Sequence, residues 1–332
     1  MAQAVESMRA IALDAFGGIE DLEEKRIPVP EVGPEEILIR VESIGIGVWD
    51  PFEMSGGFYE EETEAAFPYV PGADCAGTVA AVGDRVDRFE KGDRVYAFTL
   101  VNPKGGSYAE YVAVDQSRAS KIPAGLDTQH AGVMPTDAMT ALRGLDDVLA
   151  VKAGEAVMIF GASGGVGHFA VQLAKRMGAR VFAVASGPDG VELVSKLGAD
   201  RAVDGRSEDV VEAAREFASG GLDAALVTAG GEATDRALEA VRDGGRVAYP
   251  VGVLPEPRVR AGVTAESYDG IPDPAAIEKL NNLIAAGPFE VAIDRTFPLE
   301  DAPAALRAAS GHHIGKVALR PDGAAEGGAH AH

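Results

Sequence analysis

Residues 161–170, "GASGGVGHFA", hold four glycines in ten positions, directly behind the apolar run "AVMIF" at 156–160. Downstream, Val166, Phe169, Ala170, Leu173, Ala174 and Met177 recur at helical spacing, so the glycines occupy a strand-to-helix turn. A helix N-terminus carries unpaired N–H groups and a partial positive charge, and glycine lets a phosphate reach that backbone without meeting a Cβ. Ordinary tight turns also collect glycine. Here a second apolar run, "RVFAVAS" at 180–186, completes the strand–turn–helix–strand unit of a dinucleotide site. Gly161, Ala162, Ser163, Gly164, Gly165, Val166 and Gly167 are therefore candidate cofactor-binding residues. Ala162 stands where the usual G-x-G-x-x-G has its first glycine, so the turn must accept a methyl group.

Cofactor choice is read at the end of the second strand, where an acid would bond a ribose 2′-hydroxyl and repel a 2′-phosphate. This strand ends in Ala185-Ser186, and the small hydroxyl of Ser186 favours NADP over NAD. Asp189, three residues on, reads as an acid of a helix N-terminus; turned inward, it would reverse the preference.

The rest of the chain divides by rhythm. From about 8 to 120, short β-type runs such as "MRAIAL", "EILIRVESIGIG" and "CAGTVAAVG" alternate with Gly/Pro punctuation, which predicts a mostly β domain. From about 155 to 250, apolar strands alternate with helical segments, which predicts a doubly wound parallel sheet covered by helices. After the helix "DPAAIEKLNNLIAAG", a last strand "GKVALR" is placed to return to the first domain. The fold class is thus α/β, two domains in 332 residues. The N-terminus lacks a basic, apolar leader and no run reaches eighteen apolar residues, so a cytoplasmic location is expected and a membrane partner is not. A net charge of −22 also disfavours nucleic acid. The one cysteine, Cys75, excludes an intrachain disulfide and reads as a core thiol.

"GASGGVGHFAVQLAKRMGARV", with "PGADCAGTVAAVGDRVDRFEKGDRVYAF", "GGSYAEYVAV", "DAALVTAGG", "GGRVAYPVGV" and "GHHIGKVALR" in order, resembles the medium-chain dehydrogenase/reductase superfamily over about residues 8–320. Zinc members of that family carry a Cys and a G-H-E stretch where this chain has "GIGVWD" and "PGADCAG", and its first histidine is His130. The resemblance is therefore to the metal-free, quinone oxidoreductase-like branch. It implies a GroES-like domain at 1–123 and 272–332, a Rossmann domain at 124–271, NADPH as hydride donor, no metal and a homodimer. It further implies a small-molecule quinone or enone as substrate, with an enoyl or alkenal reductase of biosynthesis as the alternative. A non-catalytic NADPH-binding redox sensor or scaffold is the third reading.

Without a metal, hydride transfer needs an acceptor held in a dry site and a proton source for the anion formed. The resemblance assigns the substrate side to Tyr59, whose hydroxyl is a donor if it is not just a loop aromatic, and to Asp50, which more simply fixes its loop. Trp49 reads either as a stacking wall or as core, and Thr140 as a nicotinamide-side hydroxyl or a back-bonding helix residue. The branch often has Asn where this chain has Gly47, and its basic 2′-phosphate residue falls on Gly190. Gly230 and Gly252 are expected as close-approach glycines, with Asn102 and Gly231 nearby in strand-end loops. Lys316 reads as a cation for cofactor phosphate or as a strand-flanking lysine, whereas His168, His312 and His313 read as packed or surface residues. Glu60, Glu61, Glu62 and Glu64 form a run expected to disfavour anionic substrates such as acyl-CoA thioesters if it borders the site; His330 and His332 are tail composition.

Overall fold

The computed structural model describes residues 6–59 and 65–321. Two compact units divide the chain, Met1–Pro135 with Ile293–His332, and Thr136–Ala292. The breaks expected at 123/124 and 271/272 therefore fall later in the chain. Ser43 Oγ on the strand Glu36–Gly45 donates to the Gln129 carbonyl at 2.8 Å, which ties the short helix Thr128–Gly132 to the first unit. At the other break, Gln172 Nε2 donates to the Glu290 carbonyl at 2.8 Å and Glu290 N–H returns a bond to Gln172 Oε1 at 2.9 Å. That exchange ties the chain after the helix Pro274–Ala285 to the helix Gly165–Arg176, inside the second unit.

In the second unit six parallel strands lie in the order Arg201–Asp204, Arg180–Ala185, Ala156–Phe160, Leu222–Val227, Val241–Pro250 and Thr264–Tyr268. "AVMIF" and the "AALV" of the strand Leu222–Val227 are continuous apolar runs because both faces of a helix-covered parallel sheet are buried. The chain leaves Ala156–Phe160 toward one edge and returns beside it as Leu222–Val227 to build toward the other. Such a reversal opens a crevice outside the carboxyl ends of the two strands, at Phe160 and Val227.

The first unit is built on the strand Glu36–Gly45, which pairs with Asp74–Val82, Tyr111–Asp115 and Lys316–Arg320. The expected return of "GKVALR" is realised there, antiparallel, with Ala318 opposite Gly45 and Leu319 opposite Ile44. Ile37, Ile39, Val41, Ile44, Val112 and Leu319 share its core. Among the described residues no helix is long and apolar enough to cross a membrane.

Candidate active site

The glycine turn sits at the crevice of the parallel sheet. Gly161 has φ +79°, a left-handed conformation in which a side chain is strained, and its N–H and that of Ala162 both donate to the Val184 carbonyl, at 3.0 and 2.9 Å. The Ala162 methyl is fully buried, so the turn does accept it. His168 N–H makes the first helical bond, to the Gly164 carbonyl at 3.1 Å, which leaves the first-turn N–H groups of Gly165, Val166 and Gly167 ahead of the helical ladder. Among the described residues a Cβ at Gly164 would have no neighbour closer than 3.5 Å, and one at Gly252 (φ +94°) none within 4 Å. Gly167 differs: its Cβ would lie 2.1 Å from the Gly161 carbonyl oxygen, so this glycine seats the helix on the strand. Gly231 caps the helix Glu232–Ala237 at φ +119°, whereas Gly230 abuts the Pro255 carbonyl, a close approach of backbone to backbone.

Ser163 links the turn to the second strand. Its hydroxyl accepts from Ser186 N–H at 3.4 Å and would lie 2.8 Å from a Cβ at Gly190, so the position assigned to a basic residue has no room for one. Asp189 is exposed and accepts from Gly190 N–H at 2.9 Å, as an acid of the helix start. Asp204 accepts the N–H of Gly187 at 3.0 Å. Arg206, which sequence reasoning missed, brings a guanidinium nitrogen within 4.0 Å of the Cβ position of Gly187. Only the sheet order, which sets the third strand beside the second, makes it visible. Thr140 is buried at 6% exposure with its hydroxyl under Gly270, and its carbonyl accepts from Tyr268 O–H at 2.9 Å.

In the first unit the helix Asp50–Met54 carries two carboxyls into the core. Asp50 is 0% exposed; its Oδ2 accepts from Gly47 N–H at 2.9 Å and from Tyr108 O–H at 2.6 Å, while Oδ1 has no hydrogen-bond partner among the described residues. Burial, then repulsion from Glu53, pushes its pKa up to about 7 against the pull of Tyr108, Gly47 and the charge of Lys316. Glu53, at 1% exposure, accepts from Tyr69 O–H at 2.8 Å and Gly72 N–H at 3.0 Å, and burial raises its pKa too. Tyr69 also shares a side-chain hydrogen bond with the half-buried Tyr59, whose ring stacks edge-on to it with centroids 5.9 Å apart.

Two further polar residues are tied to nearby carbonyls. Lys316 is 3% exposed and donates to the Ile46 carbonyl at 3.0 Å, 5.6 Å over the Trp49 ring, and its charge bears on Asp50. Asn102 is a brace, donating to the carbonyls of Gly105 at 2.7 Å and Ala113 at 2.9 Å. His168 is packed, as expected, with Nδ1 2.9 Å from the Gly164 carbonyl. The glutamate run at 60–64 and the tail histidines lie outside the described residues.

Trp49 and Gly47 explain each other. A Cβ at Gly47 would lie 2.3 Å from Cε2 of the indole, so the ring fills the space a side chain there would need. Gly47→Asn alone is expected to cost about 1–3 kcal/mol as overpacking. Combined with Trp49→Ala the costs should fall well short of adding, and a double-mutant cycle of denaturant melts reads that coupling. Additive costs would remove the indole from the slot.

Residues 33–124 match the family described as "Alcohol dehydrogenase GroES-like domain" and residues 165–264 that described as "Zinc-binding dehydrogenase". The chain is 31% identical over 326 residues to the NADPH-dependent alkenal/one oxidoreductase, chloroplastic, of Arabidopsis thaliana, covering 95% of this chain and 80% of that one. It is 32% identical over 249 residues to the quinone oxidoreductase of Homo sapiens, covering 74% of each. The structure of the quinone oxidoreductase from Coxiella burnetii superposes with a TM-score of 0.79 at 26% identity, over 95% of this chain and 99% of that one. Zinc is tested by the donors present. Among the described residues no three His, Cys, Asp or Glu side chains converge to hold a metal ion, and burial keeps the Cys75 thiol protonated. Among the described residues, then, no donor set for zinc is assembled.

Proposed function

The chain belongs to the medium-chain dehydrogenase/reductase superfamily, in its quinone oxidoreductase-like branch, and from that premise we propose that it is a metal-independent, NADPH-dependent reductase of quinones and enones. The observation that carries the reading is the turn Gly161–Gly167 at the reversal point of the parallel sheet, an open cradle of first-turn N–H groups with Gly252 also unobstructed. Gly164, Gly165 and Val166 would hold the pyrophosphate, and Ser186 with Arg206 the 2′-phosphate. Bound there, the nicotinamide supplies a hydride. In the first unit Tyr59 would meet the acceptor and Trp49 would wall it. Val48, Phe52 and Phe58 are exposed around the Asp50 helix, an apolar surface suited to a flat neutral substrate. Asp50 and Lys316 fix the Trp49 loop through the Gly47 N–H and the Ile46 carbonyl. The same reading carries a cytoplasmic homodimer.

The test is cofactor consumption by the purified protein with ortho- and para-quinones and neutral enones, a chelator present, and NADH run in parallel. Turnover with NADPH, undiminished by chelator, is expected. Arg206→Ala should raise the NADPH Kd about tenfold, the worth of one charge-assisted bond, and leave NADH within about twofold. Tight NADPH binding without turnover of any acceptor would replace the reductase with the sensor. Equal effects of Arg206→Ala on both cofactors would take the 2′-phosphate away from it.

A further inference from the structure

The first unit contains a line of hydrogen bonds that the hydride reaction does not by itself require. It begins at Glu53, a carboxyl sealed from solvent, passes through the buried Tyr69 hydroxyl at 2.8 Å, and reaches the hydroxyl of the half-buried Tyr59. The other carboxyl oxygen is occupied by Gly72 N–H at 3.0 Å and the backbone of Val101 also bonds this group, so the two-phenol chain is the outward connection among the contacts of Glu53. We propose that Glu53 is the proton reservoir of the reduction and that Tyr69 and Tyr59 relay its proton to the reduced acceptor. The proposal rests on the reductase reading and on Tyr59 meeting the acceptor.

The transfer balances. The acceptor gains a hydride, with its electron pair, from the cofactor and becomes an anion. With Glu53 protonated the 2.8 Å bond to Tyr69 runs the other way, the carboxyl O–H donating to the Tyr69 oxygen and Tyr69 O–H to Tyr59. The anion then takes the Tyr59 O–H proton, the Tyr59 oxygen takes the proton of Tyr69, and the Tyr69 oxygen takes the carboxyl proton of Glu53. Glu53 is left as a carboxylate, stabilised by Gly72 N–H and Tyr69 O–H, and regains a proton from water along the same line after product leaves.

The surroundings favour a carboxyl that keeps its proton until one is demanded. Asp50 faces Glu53 from the same short helix, Asp74 from the strand Asp74–Val82, and Tyr69 and Tyr108 from the neighbouring segments. Asp50, Glu53 and Asp74 are all buried carboxyls, and the charge of the buried Lys316 bears on Asp50. Burial and like charge therefore both oppose ionisation of Glu53. An ordinary brace could be built from an amide without that cost.

Two acceptors separate relay from brace. An enone yields a strongly basic anion that must be protonated, whereas the anion of an electron-poor quinone is weakly basic and leaves without a proton. Glu53→Gln and Tyr69→Phe are each expected to lower kcat for a neutral enone by about a hundredfold, with KM within about threefold. Both should flatten the pH profile of kcat and remove its solvent deuterium effect, while quinone turnover stays within about threefold. Tyr69→Phe deletes one oxygen only, so the test survives if Glu53→Gln fails to fold. Phe16→Leu, which disturbs the same aromatic group without touching a hydroxyl, should leave the pH profile in place. Equal losses with both acceptors, or an unchanged pH profile in Tyr69→Phe, would overturn the relay and leave a brace. A wild-type protein that turns over neither acceptor would overturn the reductase reading, and the relay with it.

Discussion

Gly167→Ala is expected to abolish NADPH binding and to destabilise the second unit by about 3 kcal/mol or more. Its new Cβ would sit 2.1 Å from the Gly161 carbonyl oxygen and 2.7 Å from the Ala162 Cα. Both atoms are backbone, so no rotamer relieves the clash, and relief comes only by parting the helix Gly165–Arg176 from the strand beneath it. Eight residues of that helix, Gly167 to Ala174, are buried, and a shift disturbs all of them. Gly164→Ala is the companion variant. Its φ of −83° suits any residue and its Cβ meets nothing closer than 3.5 Å, so the melt should move by less than about 1 kcal/mol. The methyl nevertheless occupies the cradle, and NADPH should bind at least tenfold more weakly. Denaturant melts and fluorescence titrations of the two proteins separate seating of the helix from room for the ligand. If Gly167→Ala melts and binds like the wild type, the close approach does not hold.

Asp50→Asn is expected to stabilise the protein at neutral pH. A carboxyl whose pKa is raised on folding, from 3.8 to about 7, keeps its proton in the folded state and loses it in the unfolded state through that whole window. The unfolded chain then binds fewer protons, so stability falls as pH rises from about 4 to about 7 and stays low above. The interval bounds the cost at about 4 kcal/mol. Asparagine titrates nowhere in this range, and its carbonyl oxygen can accept from Gly47 N–H and Tyr108 O–H as Oδ2 does. Urea melts of both proteins should therefore diverge with pH, the difference being small at pH 4 and largest at pH 8, in favour of the variant. A difference independent of pH would mean that Asp50 is ionised normally.

Much of the fold was legible because the signals were local. "AVMIF", the glycines and the helical spacing after them needed only ten to twenty consecutive residues, and the return of "GKVALR" followed from an unpaired apolar run. The unit boundaries were not, because the short helix Thr128–Gly132 gives no sign in its sequence of which sheet it joins. The site was legible where one segment carried it, as at Trp49 and Asp50, and hidden where it was assembled. Glu53 and Tyr69 lie sixteen residues apart, and each reads alone as an ordinary surface acid and an ordinary tyrosine. Lys316 was singled out for its charge, but which way that charge points was decided by Ile46, 270 residues away.

The strand Lys316–Arg320 has a consequence for the order in which the molecule is made. Residues 136–292 form one uninterrupted unit that can close as soon as it has left the ribosome. The unit synthesised first cannot finish then, because its central strand Glu36–Gly45 must wait for a partner made some 270 residues later. Until that partner arrives, the acid pocket lacks its lysine. The parallel-sheet unit is thus in place before the first unit is finished, and a nascent chain released early would carry the glycine turn without the lysine beside Asp50.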